Sequence, residues 1–254
     1  MKRRIITTSD GSKTIQIEDW NEQYHSIHGA IQEANHVFIK HGLLFHFGLI
    51  KDVTPSAVEV QSEKSLNASE ESPRHPELVS GSQPINILEI GFGTGLNAFL
   101  TLIQAKQLKQ SINYVGVEAY PVATDEIEKL NYVELISQNH QSEFEKLHEV
   151  PWEAQHQITP HFQLEKQQKF FKDIKAKDTF DIIYFDAFGA RVQPELWTEA
   201  IFAIMFKALK KKGVLVTYSA KGSVRRAMEA VGFAVERLPG PPGKREMLRA
   251  LSIR

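Results

Sequence analysis

The stretch from Ile85 to Gln104, INILEIGFGTGLNAFLTLIQ, narrows the folds open to this chain more than any other. INILEI is a short apolar run of the kind that forms a buried strand. Leu96, Phe99, Leu100 and Ile103 then fall at i, i+3, i+4 and i+7 of a helix. Gly91, Gly93 and Gly95 stand between the two. Glycine tolerates positive φ and lets another group approach the main chain. The helix start that follows offers free N–H groups and a partial positive charge. A strand that turns this tightly into a helix opens a doubly wound sheet, and the turn marks the ligand crevice of that sheet. The bland reading, a tight turn without a ligand, competes only if nothing else converges on the turn.

The remainder of the chain alternates in the same manner. NYVGVEAY reads as a second strand, followed by helix near Val122–Ser137. HFQLEKQQ reads as a third strand and DIIYFDAF as a fully buried fourth. LWTEAIFAIMFKALKKKG reads as a helix closed by lysines and a C′ glycine, Gly213. GVLVTYSA is a strand, SVRRAMEAVG a helix, and FAVERL with EMLRALSI a closing strand pair. This order predicts an α/β fold, a mostly parallel sheet with helices on both faces and an antiparallel end. Residues 85–254 form that domain. Ser56–Pro84 is rich in Ser, Glu and Pro, lacks apolar periodicity and reads as a flexible insertion. Residues 1–55 are too few for a core of their own and read as a small cap, with KTIQIED and LLFHFGLI as strands and SIHGAIQEANHVFIKHG as a helix.

Composition closes several alternatives. The sequence has no cysteine, so disulfides, thiolate metal sites and cysteine nucleophiles are excluded, which fits a reducing cytoplasm. No apolar run is long enough for a membrane span, and the basic first residues lead into no signal-peptide core. The histidines match no metal-ligand spacing, and His25, His28 and His36 read as structural or pocket-lining, so no metal is expected. The net charge of −1 conceals an asymmetry: from Lys207 onward the charge is +9, leaving −10 for the rest. A basic end could meet a polyanion, or could be solvated helix faces.

Two ligand classes fit the glycine turn. Dinucleotide sites use G-x-G-x-x-G, but here the third glycine comes one residue earlier and Leu96 takes the expected place. Glu89 precedes the first glycine by two residues, and Glu118 ends the second strand, where a carboxylate accepts bonds from ribose hydroxyls. The acid before the turn suits a ligand with an ammonium and a carboxylate better than two phosphates, and S-adenosyl-L-methionine carries both. Asp186 lies at the C-terminal end of the fourth strand, beside the crevice, whereas Asp181 begins that strand and faces the other edge. A carboxylate at this position can orient an attacking amine and take its proton, or can cap the following turn. Phe188 and Trp197 are candidates for an aromatic wall, with Trp197 equally suited to plain core. Arg225 and Arg226, at the start of a helix beside Ser219 and Ser223, could meet phosphate or solvent.

ILEIGFGTGLN, DAFGARVQPELW, SAKGSVRRAMEAVGF and GKREML, in this order, resemble the MnmC-like methyltransferases, the tRNA (5-methylaminomethyl-2-thiouridylate) family. YHSIHGAIQEANHVFIKHGL resembles the stretch before the cofactor motif in its single-domain members. The resemblance spans nearly the whole chain apart from Ser56–Pro84. It implies a class I Rossmann-like fold with a seven-stranded sheet. It implies methyl transfer from S-adenosyl-L-methionine to the aminomethyl nitrogen of a tRNA wobble uridine, after other wobble-uridine enzymes have made the amine. Bifunctional relatives add an FAD-dependent oxidoreductase domain, for which this chain has no room. Carried over residue by residue, the resemblance assigns Glu89, Gly91, Gly93, Gly95, Asn97, Glu118 and Glu33 to the cofactor and Asp186 to catalysis. Phe188, Arg225, Arg226, Lys244 and Arg245 are the candidates for substrate contact. The chain departs from the family where relatives carry a Gly-Asp pair after the third strand. Here KQQKFFKD stands, so adenine recognition passes to Gln167, Gln168 or the main chain. The loop after Asp186 keeps Pro194 and Trp197 but lacks an earlier proline. The competing readings are a methyl- or aminopropyl-transferase for a small amine, which needs no basic surface; a non-catalytic cofactor-binding subunit, which does not need Asp186; and a nicotinamide oxidoreductase, which the glycine spacing disfavours.

Overall fold

The structure, a computed structural model, describes residues 2–49 and 83–254. Residues 56–82 of the expected insertion lie outside the described residues.

The chain opens with β1 (Arg3–Thr7), β2 (Lys13–Ile17) and β3 (Glu22–Gln23), an antiparallel sheet in that order. Helix α1 (Ala30–Ala34) passes directly into a wide π-helical stretch, Asn35–Leu44. LLFHFGLI is therefore not a strand: Leu43 and Leu44 are still helical, as are the next two residues. Its apolar residues fit either element by pattern, and packing decides. Val37, Phe38 and Leu43 are buried, and a Cβ added to Gly42 would stand 3.0 Å from both Tyr184 Cε1 and Val216 Cγ2. The helix lies against the main sheet at that glycine.

The main sheet contains β4 (Ile85–Ile90), β5 (Ile112–Val117), β6 (Gln155–Thr159), β7 (Phe162–Gln167), β8 (Phe180–Phe185), β9 (Leu209–Thr217), β10 (Phe233–Pro239) and β11 (Glu246–Ser252). Their order is β10-β11-β9-β8-β4-β5-β7-β6. The sheet is eight-stranded, not seven-stranded, because β6 forms an antiparallel hairpin with β7 at one edge. From β7 to β9 the neighbours are parallel, and β11 and β10 close the other edge antiparallel.

Side chains alternate across the strands. Ile87, Tyr114, Ile182 and Val214 enter one buried cluster, with α2 (Leu96–Leu108), the π-helical stretch and part of α5 (Gln141–Glu149). Leu88, Ile183 and Leu215 enter the other, with α6 (Glu199–Ala208) and α7 (Gly222–Ala230). Both faces are covered, so the central strands lack a polar face.

Two further expectations are corrected. The region near Val122–Ser137 is two short helices, α3 (Thr124–Ile127) and α4 (Tyr132–Ile136), not one. Gly213 does not cap α6: that helix ends at Ala208, and Leu209 already belongs to β9. The β8–β9 register jumps from Phe180↔Leu209 to Ile182↔Val214, and the lysines Lys210–Lys212 sit on the resulting bulge with Lys212 at φ 63°. Asp181 lies at this pole, held by Lys210 at 2.8 Å and by the Asn86 N–H at 2.9 Å, away from the glycine turn as expected.

β4 starts the parallel order, with β5 on one side and β8 on the other. Strand order reverses there, which leaves a crevice at the C-terminal ends of β4 and β8. Gly116 of β5 lets the Phe92 ring of the glycine turn sit against the strand, since a Cβ at 116 would overlap that ring. Gly116→Val is expected to displace Phe92 and to cost ~1–3 kcal/mol, the usual range for overpacking, seen as a lower urea midpoint at an unchanged slope.

Candidate active site

The turn after β4 is built from main-chain bonds. Gly91, Gly93 and Gly95 have φ values of 89°, 50° and 72°, all in the region that favours glycine. The Gly91 and Phe92 N–H groups both donate to the Val117 carbonyl, at 3.0 and 3.1 Å. Glu118 follows at the end of β5 and folds back over the turn. Its Oε2 accepts from the Gly93 N–H at 3.2 Å and its Oε1 from the Tyr120 N–H at 3.0 Å. Burial raises the Glu118 carboxyl above its ordinary value, opposed by these main-chain bonds.

Asp186 reaches the same place from the other side. Its N–H donates to the Ile90 carbonyl at 2.9 Å, and its carbonyl comes so close to Gly91 that a Cβ there would lie 2.7 Å away. Any side chain at 91 would push β8's exit off the turn. Asn97, in the first turn of α2, donates from Nδ2 to Glu89 Oε1 and to Asp186 Oδ2, both at 2.9 Å. Glu89 is almost wholly buried, and that burial raises its carboxyl well above the usual range, against the opposing hydrogen bond from Asn97. Asp186 is half-buried and lines the cavity described below. Its carboxyl is pushed up to about 7, chiefly by desolvation and then by the negative charge of Glu33, against Asn97 and Lys244.

A cavity of about 680 Å³ stands over this floor, a size suited to a small-molecule ligand. The N-terminal segment supplies its roof. The Phe188 ring meets Tyr24 and Trp20 edge-on, with centroids 4.9 and 5.7 Å apart. Arg191 ties the loop after β8 to the roof, donating to the Trp20 and Asn21 carbonyls and to Glu22 Oε2 at 2.9–3.0 Å. His25 is bound to Thr94 at 2.7 Å across Nε2 and Oγ1; burial lowers its pKa to about 4, so it is neutral at pH 7. At the far wall Glu33 Oε1 accepts from Lys244 Nζ, Glu33 Oε2 accepts from the Ser26 N–H at 3.0 Å, and Lys244 Nζ lies 4.0 Å from the Tyr218 ring centroid.

Of the sequence candidates, Gly91, Gly93, Glu118, Glu33, Asp186, Phe188 and Lys244 line the cavity. Glu89, Asn97 and Gly95 lie behind its wall; His148 covers Gly95, with Cε1 2.9 Å from where a Cβ would stand. Trp197 is buried core and donates from Nε1 to the Phe188 carbonyl at 2.8 Å, so it fixes the backbone of the wall instead of forming the wall. Arg225, Arg226 and Arg245 do not line the cavity: Arg225 pairs with Glu229 at 3.3 Å, and Arg226 and Arg245 are exposed. Gln167 and Gln168 are likewise off the wall, and Phe170, Phe171 and Lys172 take the place expected of them. Phe170 and Tyr120 are 50% and 57% exposed, and their rings meet edge-on at 6.1 Å on the rim.

The +9 segment is not one surface. Arg249 is fully buried against Glu236, Arg254 pairs with Asp178, Arg237 with Glu246, and Lys210 with Asp181. Among the described residues no cluster of three or more His, Asp and Glu could hold a metal, and no helix is long and apolar enough to cross a membrane. Tyr24 and Tyr218 escaped the sequence reading, whereas His25 and His28, read as structural or pocket-lining, line the cavity. Tyr24 opens the YHSIHG motif, the one signal that pointed to it.

Comparison with known proteins agrees with this arrangement. The family described as S-adenosyl-L-methionine-dependent methyltransferase matches residues 129–253. The tRNA 5-methylaminomethyl-2-thiouridine biosynthesis bifunctional protein MnmC of Hydrogenovibrio crunogenus is 24% identical over 97% of this chain and 33% of its own length. Its namesake from Burkholderia thailandensis is 26% identical over 96% of this chain and 34% of its own length. The chain thus spans about a third of the length of these relatives. The crystal structure of MNMC2 from Aquifex aeolicus superposes with a TM-score of 0.71 at 23% identity, covering 100% of this chain and 70% of that one, a likeness of fold. The chain is thus similar to the S-adenosyl-L-methionine-dependent methyltransferases: the family model matches residues 129–253, MnmC relatives align with nearly all of the chain, and the fold is that of MNMC2.

Proposed function

We propose that this enzyme methylates the aliphatic amine of 5-aminomethyl(-2-thio)uridine at the wobble position of tRNA, giving 5-methylaminomethyl(-2-thio)uridine without an FAD-dependent step of its own. The observation that carries the chemistry is Asp186: a carboxyl raised to about 7, facing the cavity beside the glycine turn. The amine half of the reading rests on that group, and the tRNA half on the MnmC relatives.

The residues around the turn fit S-adenosyl-L-methionine, which supplies the activated methyl group. Gly91 and Gly93 present bare main chain to the cavity, so a ligand can approach the backbone there. Glu118 spends one bond on each oxygen, and a carboxylate has about four acceptor sites, which leaves capacity for a ribose diol. Glu118, Gly91 and Gly93 would hold the cofactor. Glu89, Gly95 and Asn97 would act from behind, Asn97 by fixing both carboxylates.

Asp186 orients the amine and accepts the proton that its nitrogen gives up on methylation. An acid near 7 is matched to that task at neutral pH, since it is partly ionised and still basic enough to take a proton. Phe188, held by Tyr24, Trp20 and Trp197, would pack against the planar base, and the aromatic rim of Tyr120 and Phe170 keeps water from the mouth. We read residues 1–55 as the cap of this site and 85–254 as the transferase body, working in the cytoplasm after the enzymes that install the amine. Residues 56–84 are read as a flexible insertion. The dispersal of the basic segment favours one second reading, a methyl- or aminopropyl-transferase acting on a small amine.

Incubation with labelled cofactor and bulk tRNA from a strain lacking this activity, followed by nucleoside mass analysis, tests the reading; label that appears only in small amines overturns it. Asp186→Asn is expected to lower kcat by ~10²-fold or more with cofactor affinity nearly kept, and to abolish a rise in rate through about pH 7 that the wild type shows as the carboxyl ionises. Gly93→Val places a branched side chain at φ 50°, with its Cβ 3.1 Å from Tyr24 Cδ1. Calorimetry is expected to show cofactor affinity down by at least about tenfold, equivalent to ~1.4 kcal/mol. tRNA affinity should decline linearly on a log–log plot against salt, as counterion release requires, and a flat response favours the small-amine reading.

A further inference from the structure

We propose that Glu33 and Lys244 form a paired positioning device that fixes the pH at which Asp186 exchanges its proton. The inference rests on the reading of Asp186 as the group that accepts the amine's proton, but concerns side chains that do no chemistry themselves.

The geometry is specific. Glu33 stands in the first turn of α1 and Lys244 in the turn between β10 and β11, and both open on the cavity that Asp186 lines. The Glu33 side chain is 9% exposed and that of Lys244 30%, so the pair is little screened by solvent. Glu33 is anchored by the Ser26 N–H at 3.0 Å. Lys244 is anchored twice, by Glu33 and by the Tyr218 ring, and Tyr218 in turn donates from its hydroxyl to the carbonyl of Ala187 at 2.8 Å, next in the chain to Asp186. The ion pair is therefore tied to the backbone that carries the acid.

The other groups that face Asp186 do not give this control. Glu89 of β4 shares Asn97 with it but is itself buried and held toward its neutral form. Tyr114 of β5, Tyr132 of α4 and Tyr218 after β9 are all raised by burial and stay neutral. Asn97 of α2 carries no charge. Glu33 and Lys244 are the pair of opposite charges left among the groups that act on Asp186. They pull in opposite directions: the Glu33 charge favours protonated Asp186, and the Lys244 charge favours ionised Asp186. Lys244 also neutralises Glu33. Without it, an unpaired carboxylate would face Asp186 across the cavity and hold it protonated where the amine needs a base.

The direct test is a carboxyl ¹³C NMR titration of protein labelled at aspartate, between about pH 5 and 9. The Asp186 resonance is identified as the one lost in Asp186→Asn. Its midpoint is expected to fall in Glu33→Gln and to rise in Lys244→Met, each by about one pH unit or more. Lys244→Arg should keep the midpoint near the wild-type value, and the double variant Glu33→Gln/Lys244→Met should lie between the single ones. The rise of kcat/KM with pH should move in the same direction in each variant. A purely structural role lowers activity at every pH and leaves the midpoint in place. Midpoints that do not move, or that move in the same direction in both single variants, overturn the proposal. Melting curves identify folded variants, and Lys244→Gln replaces Lys244→Met if the latter unfolds. If the midpoints move as expected while Asp186→Asn keeps full turnover, the pairing stands and the proposed role of Asp186 falls.

Discussion

A single side-chain amide holds the centre of this molecule together. Asn97 gives one N–H to Glu89 and the other to Asp186, and so joins the first strand of the parallel order to its neighbour through the helix that follows the glycine turn. Two carboxylates this close would repel if both were ionised, and the buried Glu89 could not stay charged cheaply away from water. The shared amide and the shift of Glu89 toward its neutral form resolve that conflict. The remaining geometry follows. Gly91 lacks a side chain because the Asp186 carbonyl takes up that space, and Glu118 caps the Gly93 N–H that the turn leaves open.

This arrangement separates support from contact. Residues that a motif marks equally, such as Glu89 and Gly93, end on different sides of the cavity wall. The roof comes from the N-terminal segment and the far wall from the turn before the last strand, so the glycine turn alone makes only the floor. Groups distant in sequence from the turn, Glu33 and Lys244 among them, share the cavity with Asp186. Charges shielded from bulk water act on one another over longer distances than exposed ones.

Much of this was legible in the sequence for a simple reason. The strand–glycine–helix unit is local: six residues of INILEI, the glycines and the spacing of Leu96, Phe99 and Leu100 all lie within reach of one another. The alternation of buried strands and amphipathic helices gave the parallel sheet and its antiparallel end, and Asp186 followed from its place after DIIYF. What escaped depends on packing between distant segments. LLFHFGLI is apolar enough for strand or helix, and its first four residues continue a helix that packs on Tyr184 and Val216 at Gly42. Gly213 has the look of a helix cap, yet the chain bulges back into the sheet at the preceding lysines. The charge asymmetry was real as arithmetic but not as a surface, because Arg249, Arg254, Arg237 and Lys210 meet local acids. Such pairings join strands and turns that no pattern in the sequence connects.

The Glu33–Lys244 contact bridges a separation of 211 residues. The glycine turn and β5 lie close together in the sequence, whereas the far wall joins distant segments. Contacts of such long range are entropically costly to close and tend to come late. The far wall, which joins α1 to the turn between β10 and β11, is therefore the part of the cavity most costly to close.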